Sequence, residues 1–365
     1  MEFKLGELFS GPGGLALGAF SASVKSNGKK FKIVHGWASD YDSDTQLTYT
    51  HNLCADSPGT FYLADVRKLN FSKLPKIDAF AYGFPCNDFS IVGEKKGFEG
   101  EFGPLYTYGL KVINKDRPKF FIAENVGGMS STNEGKAFKK ILNDLEKAGN
   151  GYKLTVHLYK AEEYGVPQTR HRIIIVGIDK SLNLNFKVPA PTTKDKPITA
   201  SQALKAIPRN SPNNELTKQS EIVVERLLHI KPGENIWQTD LPKRLRLNVK
   251  GAKLSQIYKR LHPNKPSYTM TGSGGGGTHG YHWKEPRALT NRERARIQTF
   301  PDSFEFIGSK ESVRKQIGMA VPVELSKTIC EAILKTFAGI NYESVPPSFS
   351  DLSAVDKEVL RVRIK

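Results

Sequence analysis

Cysteine is scarce in this chain. Three cysteines in 365 residues, Cys54, Cys86 and Cys330, lie far apart and form no Cys-x-x-Cys pair. An odd and dispersed set of this kind excludes a disulfide framework and a thiolate zinc site, and it fits a reducing cytoplasm. His279 and His282 have the spacing of metal ligands, but no other ligand cluster accompanies them. We expect no metal.

Long apolar runs are missing as well. Runs such as 173–176 are far too short to span a bilayer, and the first four residues lack a basic stretch followed by an apolar core. We therefore expect a soluble, unexported protein with no membrane partner. With 38% hydrophobic and 25% charged residues the composition is that of a globular chain, long enough for one large domain and a smaller one.

Acidic residues are few relative to basic ones. The chain has 37 Asp and Glu against 54 Lys and Arg, which gives a formal net charge of +17 and a pI near 9.6. A field of this sign attracts polyanions and speeds encounter with them. Residues 187–283 alone hold 16 Lys and Arg but 6 Asp and Glu, a concentration that a merely solubilising surface does not require. Nucleic acid is the expected partner.

Short apolar runs alternate with helix-length segments in the first half of the chain. This alternation predicts an α/β fold with a parallel, helix-covered sheet. The predicted strands are 3–9, 31–38, 60–64, 77–82, 119–123, 152–159 and 172–178, and the predicted helices are 14–24, 42–51, 104–114, 134–148, 291–300 and 323–337.

The alternation ends beyond about residue 186. Prolines interrupt it there, and polar and basic residues then run to the glycine tract 272–277. This part is interpreted as a second lobe. The predicted domains are a catalytic and cofactor-binding domain at 1–186, a smaller basic domain at 187–283, a return to the catalytic domain at 284–338, and a C-terminal tail at 339–365.

The loop Phe9-Ser10-Gly11-Pro12-Gly13-Gly14 follows the first predicted strand and opens a helix. Its glycines let a ligand approach the backbone, and its amides face that ligand, so a nucleotide-like cofactor is indicated. The loop also fits the Gly-x-Gly-x-x-Gly/Ala spacing of nicotinamide enzymes, and Asp40 could serve the ribose of either cofactor. A structural turn without a ligand is a third interpretation.

Cys86 follows the apolar strand 77–82 in the run Gly83-Phe84-Pro85-Cys86-Asn87-Asp88. Ligands of parallel sheets bind beyond the carboxyl ends of the strands, so this thiol is a candidate nucleophile. A lone cysteine is more often a packing residue. Its neighbours in the sequence decide between the two.

Six motifs in a fixed order make the chain resemble DNA (cytosine-5)-methyltransferases. Each motif alone is weak, but six in order, spread over about residues 3–178 and 284–335, are specific. Asn87 replaces the family's glutamine and Met319 its asparagine, which affects loop packing and cofactor contact rather than the reaction type. The motifs are Phe9 to Gly14, Pro85-Cys86-Asn87, Glu124-Asn125-Val126, Gln168-Thr169-Arg170-His171-Arg172, the block from Arg287 to Asp302, and Gly318-Met319-Ala320-Val321-Pro322.

The resemblance implies a Rossmann-like methyltransferase sheet with helices on both faces and a smaller basic target-recognition domain. It also implies transfer of a methyl group from S-adenosylmethionine to C5 of a cytosine flipped out of a short specific site in double-stranded DNA. In that reaction the Cys86 thiolate adds at C6 and Glu124 protonates or hydrogen-bonds N3. Arg172 contacts O2 and Arg170 steadies the cysteine loop, and both arginines supply a field that favours the thiolate.

For the cofactor, the resemblance assigns the adenine ring to Phe9 and Tyr41, the ribose to Asp40, and the adenine amino group to Asp65. Met319 and Val321 are assigned to the methionine end. The complete set of predicted cofactor residues is Phe9, Gly11, Gly13, Gly14, Asp40, Tyr41, Asp65, Val66, Pro85, Met319 and Val321.

The basic lobe is the predicted clamp on DNA. A monomeric methylase of a restriction-modification system is expected, whose cognate endonuclease acts on the same site without needing to bind this chain. The candidate phosphate or base contacts are Arg244, Arg246, Lys250, Lys253, Lys259 and Arg260.

Three alternatives stay open from the sequence. A tRNA cytosine methyltransferase shares these motifs, and a basic chain binds RNA too. A nicotinamide oxidoreductase would use the glycine loop but leave Cys86, Glu124 and the arginine pair without a role. A catalytically silent DNA-binding relative would retain the fold without the activity.

Overall fold

The computed structural model describes residues 1–84, 105–126, 132–248, 254–272 and 277–349, with backbone only for 126 and 132–137. Pro85, Cys86, Lys250 and Lys253 of the predicted site lie outside these residues. The chain divides into two compact units. Unit 1 comprises Met1–Lys160, His171–Pro191 and Leu325–Lys365, and unit 2 comprises Ala161–Arg170 and Thr192–Glu324.

The described strands and helices follow the predicted order in the first half. The strands are β1 (Glu2–Leu8), β2 (Ser23–Ser26), β3 (Lys29–Asp40), β4 (Phe61–Leu63), β5 (Ala79–Gly83), β6 (Phe120–Val126), β7 (Tyr152–Lys160), β8 (Gln168–Thr169), β9 (His171–Asp179), β10 (Val188–Pro189), β11 (Ser267–Tyr268) and β12 (Ser344–Val345). The helices are α1 (Gly14–Ser21), α2 (Ser43–Leu53), α3 (Tyr106–Asp116), α4 (Thr132–Lys147), α5 (Ala200–Ala203), α6 (Glu221–His229), α7 (Asn291–Ile297), α8 (Lys310–Met319) and α9 (Val323–Ala338).

Unit 1 is built on a sheet in the order β2-β3-β1-β5-β6-β9-β7, with β4 also paired to β3. Strands β1, β3, β4, β5 and β6 are parallel, as predicted, so their carboxyl ends share one edge. We call this the carboxyl edge. The α/β class predicted from the sequence is confirmed.

The prediction of a wholly parallel sheet is wrong at both ends. Strand β9 is antiparallel to both β6 and β7. The ten residues between β7 and β9 are too few for the helical crossover that a parallel pair needs. At the other end β2 pairs antiparallel with β3, so residue 24 lies in a strand rather than in the predicted helix 14–24. The turn Asn27-Gly28 has φ of +48° and +73°, the backbone that a two-residue hairpin requires.

Alternation along the strands buries both faces of this sheet. On one face Phe80 of β5 and Phe121 of β6 pack in a core with residues of α3 and α4. On the other face the Phe337 ring of α9 lies 4.9 Å from that of Phe3 and 5.7 Å from that of Phe120, between ring centroids. Helices therefore cover the sheet on both sides.

Unit 2 has less regular structure. Its helices α5 to α8 are short, and β8 and β11 form a two-stranded parallel sheet. Apolar clusters hold it together, one around Leu227, Leu245 and Tyr281 and another around Leu261, Met270 and Ile297. Residues 284–324 belong to unit 2 by compactness. The sequence pattern instead assigns residues 284–338 to the catalytic domain, and the two divisions rest on different criteria. A separate target-recognition domain at 187–283 stays a prediction.

Candidate active site

A cavity of about 250 Å³ lies at the carboxyl edge of unit 1. Five predicted cofactor residues line it, and they come from the ends of three strands that are distant in sequence. The sequence did not single out the other five. The lining residues are Leu8, Phe9, Ser39, Asp40, Tyr41, Ala64, Asp65, Val66, Arg67 and Leu105.

The glycine loop leaves β1 at this edge and is tied to the end of β3. Ser10 N donates to Ser39 O, and Gly11 N donates to Asp40 Oδ2 at 2.9 Å. Gly13 has φ of +93°, which favours glycine, and a Cβ there would lie 2.3 Å from Leu53 Cδ1, so a larger residue would have to displace that side chain. The next residue, Gly14, begins α1. The loop therefore depends on glycine for both its conformation and its packing.

The Asp40 side chain anchors the glycine loop and its own turn through three hydrogen bonds. Its carboxylate accepts from the backbone N–H groups of Gly11, Tyr41 and Asp42. Burial raises the pKa of Asp40, while these three backbone donors oppose the rise. A carboxylate has about four acceptor positions. Asp40 therefore has room for about one more donor, such as one hydroxyl group.

Asp65 is fixed at the end of β4 by Arg67. Its carboxylate accepts from the Arg67 backbone N–H at 2.9 Å and forms an ion pair with the Arg67 guanidinium at 2.6 Å. These hydrogen bonds lower the pKa of Asp65, so the carboxylate is an acceptor near neutral pH. An Asp-x-Arg sequence after a strand could have identified Arg67 as part of this site.

Tyr41 lies 64% exposed at the rim of the cavity. Tyr41 is therefore a surface residue and not a part of the core. Phe9 is half-buried, with φ of +54°, and packs against the main core cluster. One aromatic side chain is therefore held by the core and the other projects from the surface, both against the same cavity.

Glu124 and Arg172 form an ion pair at the carboxyl edge, separate from the residues that line the cavity. Arg172 Nε lies 2.9 Å from Glu124 Oε1, and both side chains are largely buried, with 12% and 15% of their surface exposed. Glu124 is paired in register with Gly83, the last residue of β5, and a Cβ at Gly83 would lie 3.2 Å from Glu124 Oε2. The pair thus borders the strand end that precedes Cys86 by three residues.

Arg170, the other predicted catalytic arginine, lies in unit 2. It is 3% exposed, and its Nη1 donates to Met270 O at 3.4 Å. Nearby, Gln168 Oε1 accepts from Met270 N, and Gln168 Nε2 donates to Gln298 Oε1 at 3.0 Å. These residues connect β8 to the segment after β11 and to the end of α7. The predicted role of Arg170 toward the cysteine loop stays a prediction.

Met319 and Val321 also belong to unit 2. Met319 ends α8 and is 57% exposed, whereas Val321 is half-buried. A Cβ at Gly318 would lie 2.1 Å from Gly272 N, so two backbones meet there. Glycine is required at 318 for that approach. The assignment of Met319 and Val321 to a cofactor is still a prediction.

The motif from Arg287 to Asp302 is mainly structural. The Arg292 side chain is fully buried and donates to three carbonyls, those of Pro212, Pro301 and Phe304. Thr290 and Glu293 form a capping box at the start of α7. Within unit 2 the described contacts of this motif hold neighbouring backbone segments together and cap α7.

The predicted DNA contacts differ in how accessible they are. Arg244 and Arg246 are exposed and form surface ion pairs with Glu225 and Asp240, which are weak enough to exchange. Lys259 lines a cavity of about 400 Å³ in unit 2, and its Nζ lies 4.7 Å from the centre of the Tyr268 ring. These three side chains can still meet a phosphate.

Arg260 is different from the other predicted DNA contacts. It is 6% exposed, and its guanidinium donates to the carbonyls of Leu227, Ile230, His282 and Trp283. The structure gives Arg260 a structural role instead of a phosphate contact, because its donors are already used inside the core of unit 2.

We expect Arg260→Ala to lower the free energy of unfolding by about 3 kcal/mol or more, because four carbonyls lose a charged donor in a buried place. The matched variant Lys259→Ala should change it by less than about 0.5 kcal/mol. Urea denaturation of the full chain measures both. Equal and small effects would show that Arg260 is not a structural residue.

The described residues contain neither a metal-binding cluster nor a membrane-spanning helix. No cluster of three or more His, Cys, Asp or Glu side chains there is placed to hold a metal ion. None of the helices in those ranges has the length and apolar character needed to cross a bilayer.

Comparisons with known proteins agree with the motifs. The sequence profile of the C-5 cytosine-specific DNA methylases matches residues 3–335. The Type II methyltransferase M.BbvI of Brevibacillus brevis is 59% identical, over 98% of this chain and 97% of its own length. The Type II methyltransferase M.NgoFVII of Neisseria gonorrhoeae is 40% identical, over 98% and 92%.

Solved structures show the same fold at low sequence identity. A prophage-encoded protein of E. coli has a TM-score of 0.69 at 24% identity, covering 92% of this chain and 99% of that one. The Entamoeba histolytica methyltransferase EhMeth has a TM-score of 0.62 at 16% identity, covering 92% and 98%.

The chain therefore belongs to the family of C-5 cytosine-specific DNA methylases. It is a DNA (cytosine-5-)-methyltransferase of the Type II, restriction-modification kind. The family predicted from the six motifs is confirmed, and the nicotinamide oxidoreductase alternative is excluded.

Proposed function

We propose that this chain transfers a methyl group from S-adenosylmethionine to C5 of a cytosine flipped out of a short specific site in double-stranded DNA, through a covalent adduct between Cys86 and C6. The observation that carries the proposal is the Glu124–Arg172 ion pair beside the strand end that leads to Cys86. In such a pair, the Glu124 carboxyl can meet N3 of the cytosine, and the Arg172 guanidinium can donate to the neighbouring O2.

The cavity at the carboxyl edge fits the adenosine part of the cofactor. Aromatic faces at Phe9 and Tyr41 can enclose a purine, Asp40 has about one free acceptor position for a ribose hydroxyl, and the anionic Asp65 can accept from an exocyclic amine. Val66 and Leu105 supply apolar surface. When bound, S-adenosylmethionine supplies an electrophilic methyl group on a sulfonium centre. The residues that line the cavity bind and orient the cofactor, and they take no chemical part in activating its methyl group.

Elimination supports Cys86 as the nucleophile. The chain has three cysteines, and two of them are unsuitable. Burial raises the pKa of Cys330 to about 12 and also raises the pKa of Cys54. A thiol that is buried and protonated is inert, because the thiolate is the nucleophile. Cys86 is the remaining candidate.

The reaction balances with the residues proposed and solvent water. The Cys86 thiolate adds to C6 while Glu124, in its protonated form, donates its proton to N3, which makes C5 nucleophilic toward the methyl group. Water then takes the proton from C5, the C5–C6 double bond forms again as the thiolate leaves, and the N3 proton returns to Glu124. Arg172, whose Nε holds Glu124 and whose Nη1 donates to His171 O, has its other Nη available for O2 of the base.

The partner proposed is duplex DNA, recognised by the basic lobe at 187–283 acting as a target-recognition domain. Flipping a base costs a few kcal/mol, which phosphate and base contacts must offset. Arg244, Arg246, Lys250, Lys253 and Lys259 are the proposed contacts. The chain is proposed to act as a cytoplasmic monomer on the site that its cognate endonuclease also reads.

The cofactor assignment predicts that Tyr41→Ala weakens binding of S-adenosylmethionine by about 1–3 kcal/mol, because an exposed aromatic that stacks on a base contributes about that much. Tyr41→Phe keeps the ring and should keep the affinity. Isothermal titration calorimetry on the full chain measures both. An alanine variant that binds as well as the unaltered chain would remove Tyr41 from the site.

Parallel assays with a labelled methyl donor test the substrate. Label is expected in duplex DNA, and bisulfite sequencing of DNA from a host that expresses the chain then gives the modified site. Label in tRNA alone would support the tRNA methyltransferase instead. Binding to DNA with no transfer to either substrate would support the catalytically silent relative.

A further inference from the structure

Glu7 is a buried carboxyl that the proposed reaction does not use. It lies on β1 two residues before Phe9, is 2% exposed, and pairs in register with Ala38 of β3 and Ala81 of β5. Its Oε2 is 3.1 Å from the hydroxyl of Tyr49 on α2. Burial raises the pKa of Glu7 to about 8; the hydrogen bond with Tyr49 opposes this rise, and the nearby Asp40 carboxylate adds to it.

A chain of hydrogen bonds continues from Tyr49 away from Glu7. The Tyr49 hydroxyl lies 3.5 Å from His35 Nδ1, and His35 Nε2 lies 2.7 Å from Thr60 Oγ1. The Thr60 hydroxyl donates to Ser57 O at 2.6 Å. Since its hydrogen is used there, Thr60 must accept from His35. His35 therefore carries its proton on Nε2, and its Nδ1 is an acceptor.

Because His35 Nδ1 is an acceptor, the hydrogen bonds of the Tyr49 hydroxyl depend on the protonation state of Glu7. It has one hydroxyl hydrogen and two possible acceptors, Glu7 and His35. When Glu7 is protonated, its own O–H donates to the Tyr49 oxygen, and Tyr49 donates to His35, so every donor in the chain has an acceptor. When Glu7 is ionised, Tyr49 donates to the carboxylate, and His35 Nδ1 loses its donor. His35 is half-buried, so the loss of this donor costs free energy wherever water cannot replace it.

The chain of hydrogen bonds supports the glycine loop directly. A Cβ at Gly13 would lie 3.0 Å from Tyr49 Cδ2 and 3.2 Å from Cε2, so the loop rests on the Tyr49 ring. Glu7 leads through Leu8 to Phe9, which lines the cavity. Ionised Glu7 would also repel Asp40, which holds the Gly11 amide. The loop thus meets this network at Phe9, Gly11 and Gly13.

We propose that protonated Glu7 is a positioning residue, which through Tyr49 holds the glycine loop from Phe9 to Gly14 in the conformation that binds the cofactor. Ionisation of Glu7 then weakens cofactor binding. This role depends on the proposed function, because it concerns affinity for S-adenosylmethionine.

Of the described groups that face Glu7, Cys330, Tyr49 and His35 have pKa values shifted away from the range in which Glu7 ionises. From α9, Cys330 has a pKa of about 12, and from α2, Tyr49 has a pKa well above its usual value. Burial lowers the pKa of His35 on β3 below its usual value, so it is neutral above about pH 7. Asp40 at the end of β3 is an acid whose pKa burial raises.

The test is the pH dependence of the Kd for S-adenosylmethionine, measured by calorimetry on the full chain with Glu7→Gln beside the unaltered protein. If the protonated form alone binds, the Kd rises by up to about tenfold from about pH 7 to about pH 9. The amino group of the ligand titrates in the same range. The readout is therefore the difference between the two profiles.

Glu7→Gln keeps the shape and can donate to Tyr49, but it cannot ionise. We expect it to retain the affinity of the unaltered chain at about pH 7 and to lack the additional loss at about pH 9. Glu2→Gln, on the same strand but exposed, should follow the unaltered profile. Tyr49→Phe keeps the ring under Gly13, breaks the chain of hydrogen bonds, and should show weaker binding with a flattened profile. Superimposable profiles of Glu7→Gln and the unaltered chain would overturn the proposal.

Thermal unfolding without ligand gives an independent readout. Because the pKa of Glu7 is raised in the folded state, folding takes up a proton, and this group lowers stability as the pH rises from about 4.5 to about 8. The Tm of Glu7→Gln relative to the unaltered chain should therefore increase across that range. A Tm difference between the two proteins that stays constant with pH would contradict the claim that Glu7 is protonated in the folded protein. Absence of any cofactor binding by the unaltered chain would instead contradict the proposed function.

Discussion

Cys86→Ala is expected to abolish methyl transfer to DNA, with a loss of about four orders of magnitude or more. The reason is that C5 of cytosine becomes nucleophilic only after a thiolate has added at C6, and neither of the two described cysteines, Cys54 and Cys330, can supply that thiolate. The measurement is transfer of labelled methyl groups from S-adenosylmethionine to duplex DNA, under conditions where binding of the cofactor and of DNA is unchanged.

The chain offers matched controls for this variant. Cys54→Ala and Cys330→Ala remove the two buried thiols, whose raised pKa values make them inert. Both variants should retain transfer, although truncation in the core costs some stability. Substantial transfer by Cys86→Ala, or loss of transfer confined to one of the two controls, would contradict the proposed nucleophile.

Glu124→Gln is expected to lower kcat by about 10²–10⁴-fold, because a positioned acid or hydrogen-bond donor contributes about that much. The Kd for S-adenosylmethionine should change less than about twofold, since Glu124 does not line the cavity that Phe9 and Tyr41 enclose. Single-turnover kinetics separate the two effects. Glutamine retains the shape of the side chain but removes the charge that faces Arg172.

Glu146→Gln is the matched control for Glu124. Glu146 forms an exposed ion pair with Lys180 at 3.1 Å in the same unit, and its loss should leave kcat unchanged. If Glu124→Gln turns over as fast as this control, Glu124 has no part in the reaction.

Much of unit 1 was predictable because its strands are short apolar runs buried on both faces and helix-length segments separate them. The five parallel strands and helices α2, α3 and α4 lie within a few residues of the predicted ranges. The direction of β9 was not predicted, because an apolar strand carries no mark of its direction. It follows from the short connection after β7, which the sequence does show.

The cofactor cavity was predicted in part. The resemblance to the methyltransferase family assigned Phe9, Asp40, Tyr41, Asp65 and Val66 to the cofactor, and the structure brings these residues to one cavity. Arg67 was missed although the Asp-x-Arg sequence at 65–67 could have indicated its ion pair with Asp65. Leu105 comes from a distant segment, and no local pattern connects it to this site.

The basic lobe was the least predictable part. In the composition Arg260 and Lys259 are equal positive charges. In the structure Arg260 donates to backbone carbonyls in the core of unit 2, whereas Lys259 lines a cavity. Helix α8 was also missed, because its apolar residues Val313 and Ile317 are few among charged ones. Burial of charge is decided by tertiary packing, which local sequence does not encode.

The most direct test is covalent trapping on DNA that contains 5-fluorocytosine at the target position. Fluorine at C5 cannot leave as a proton does, so an enzyme that works through a thiolate adduct remains attached after the methyl group has been transferred. With S-adenosylmethionine present, the full chain should give a protein–DNA species that survives a denaturing gel, and Cys86→Ala should give none. A folded, cofactor-saturated chain that methylates ordinary DNA but forms no such species would contradict the account.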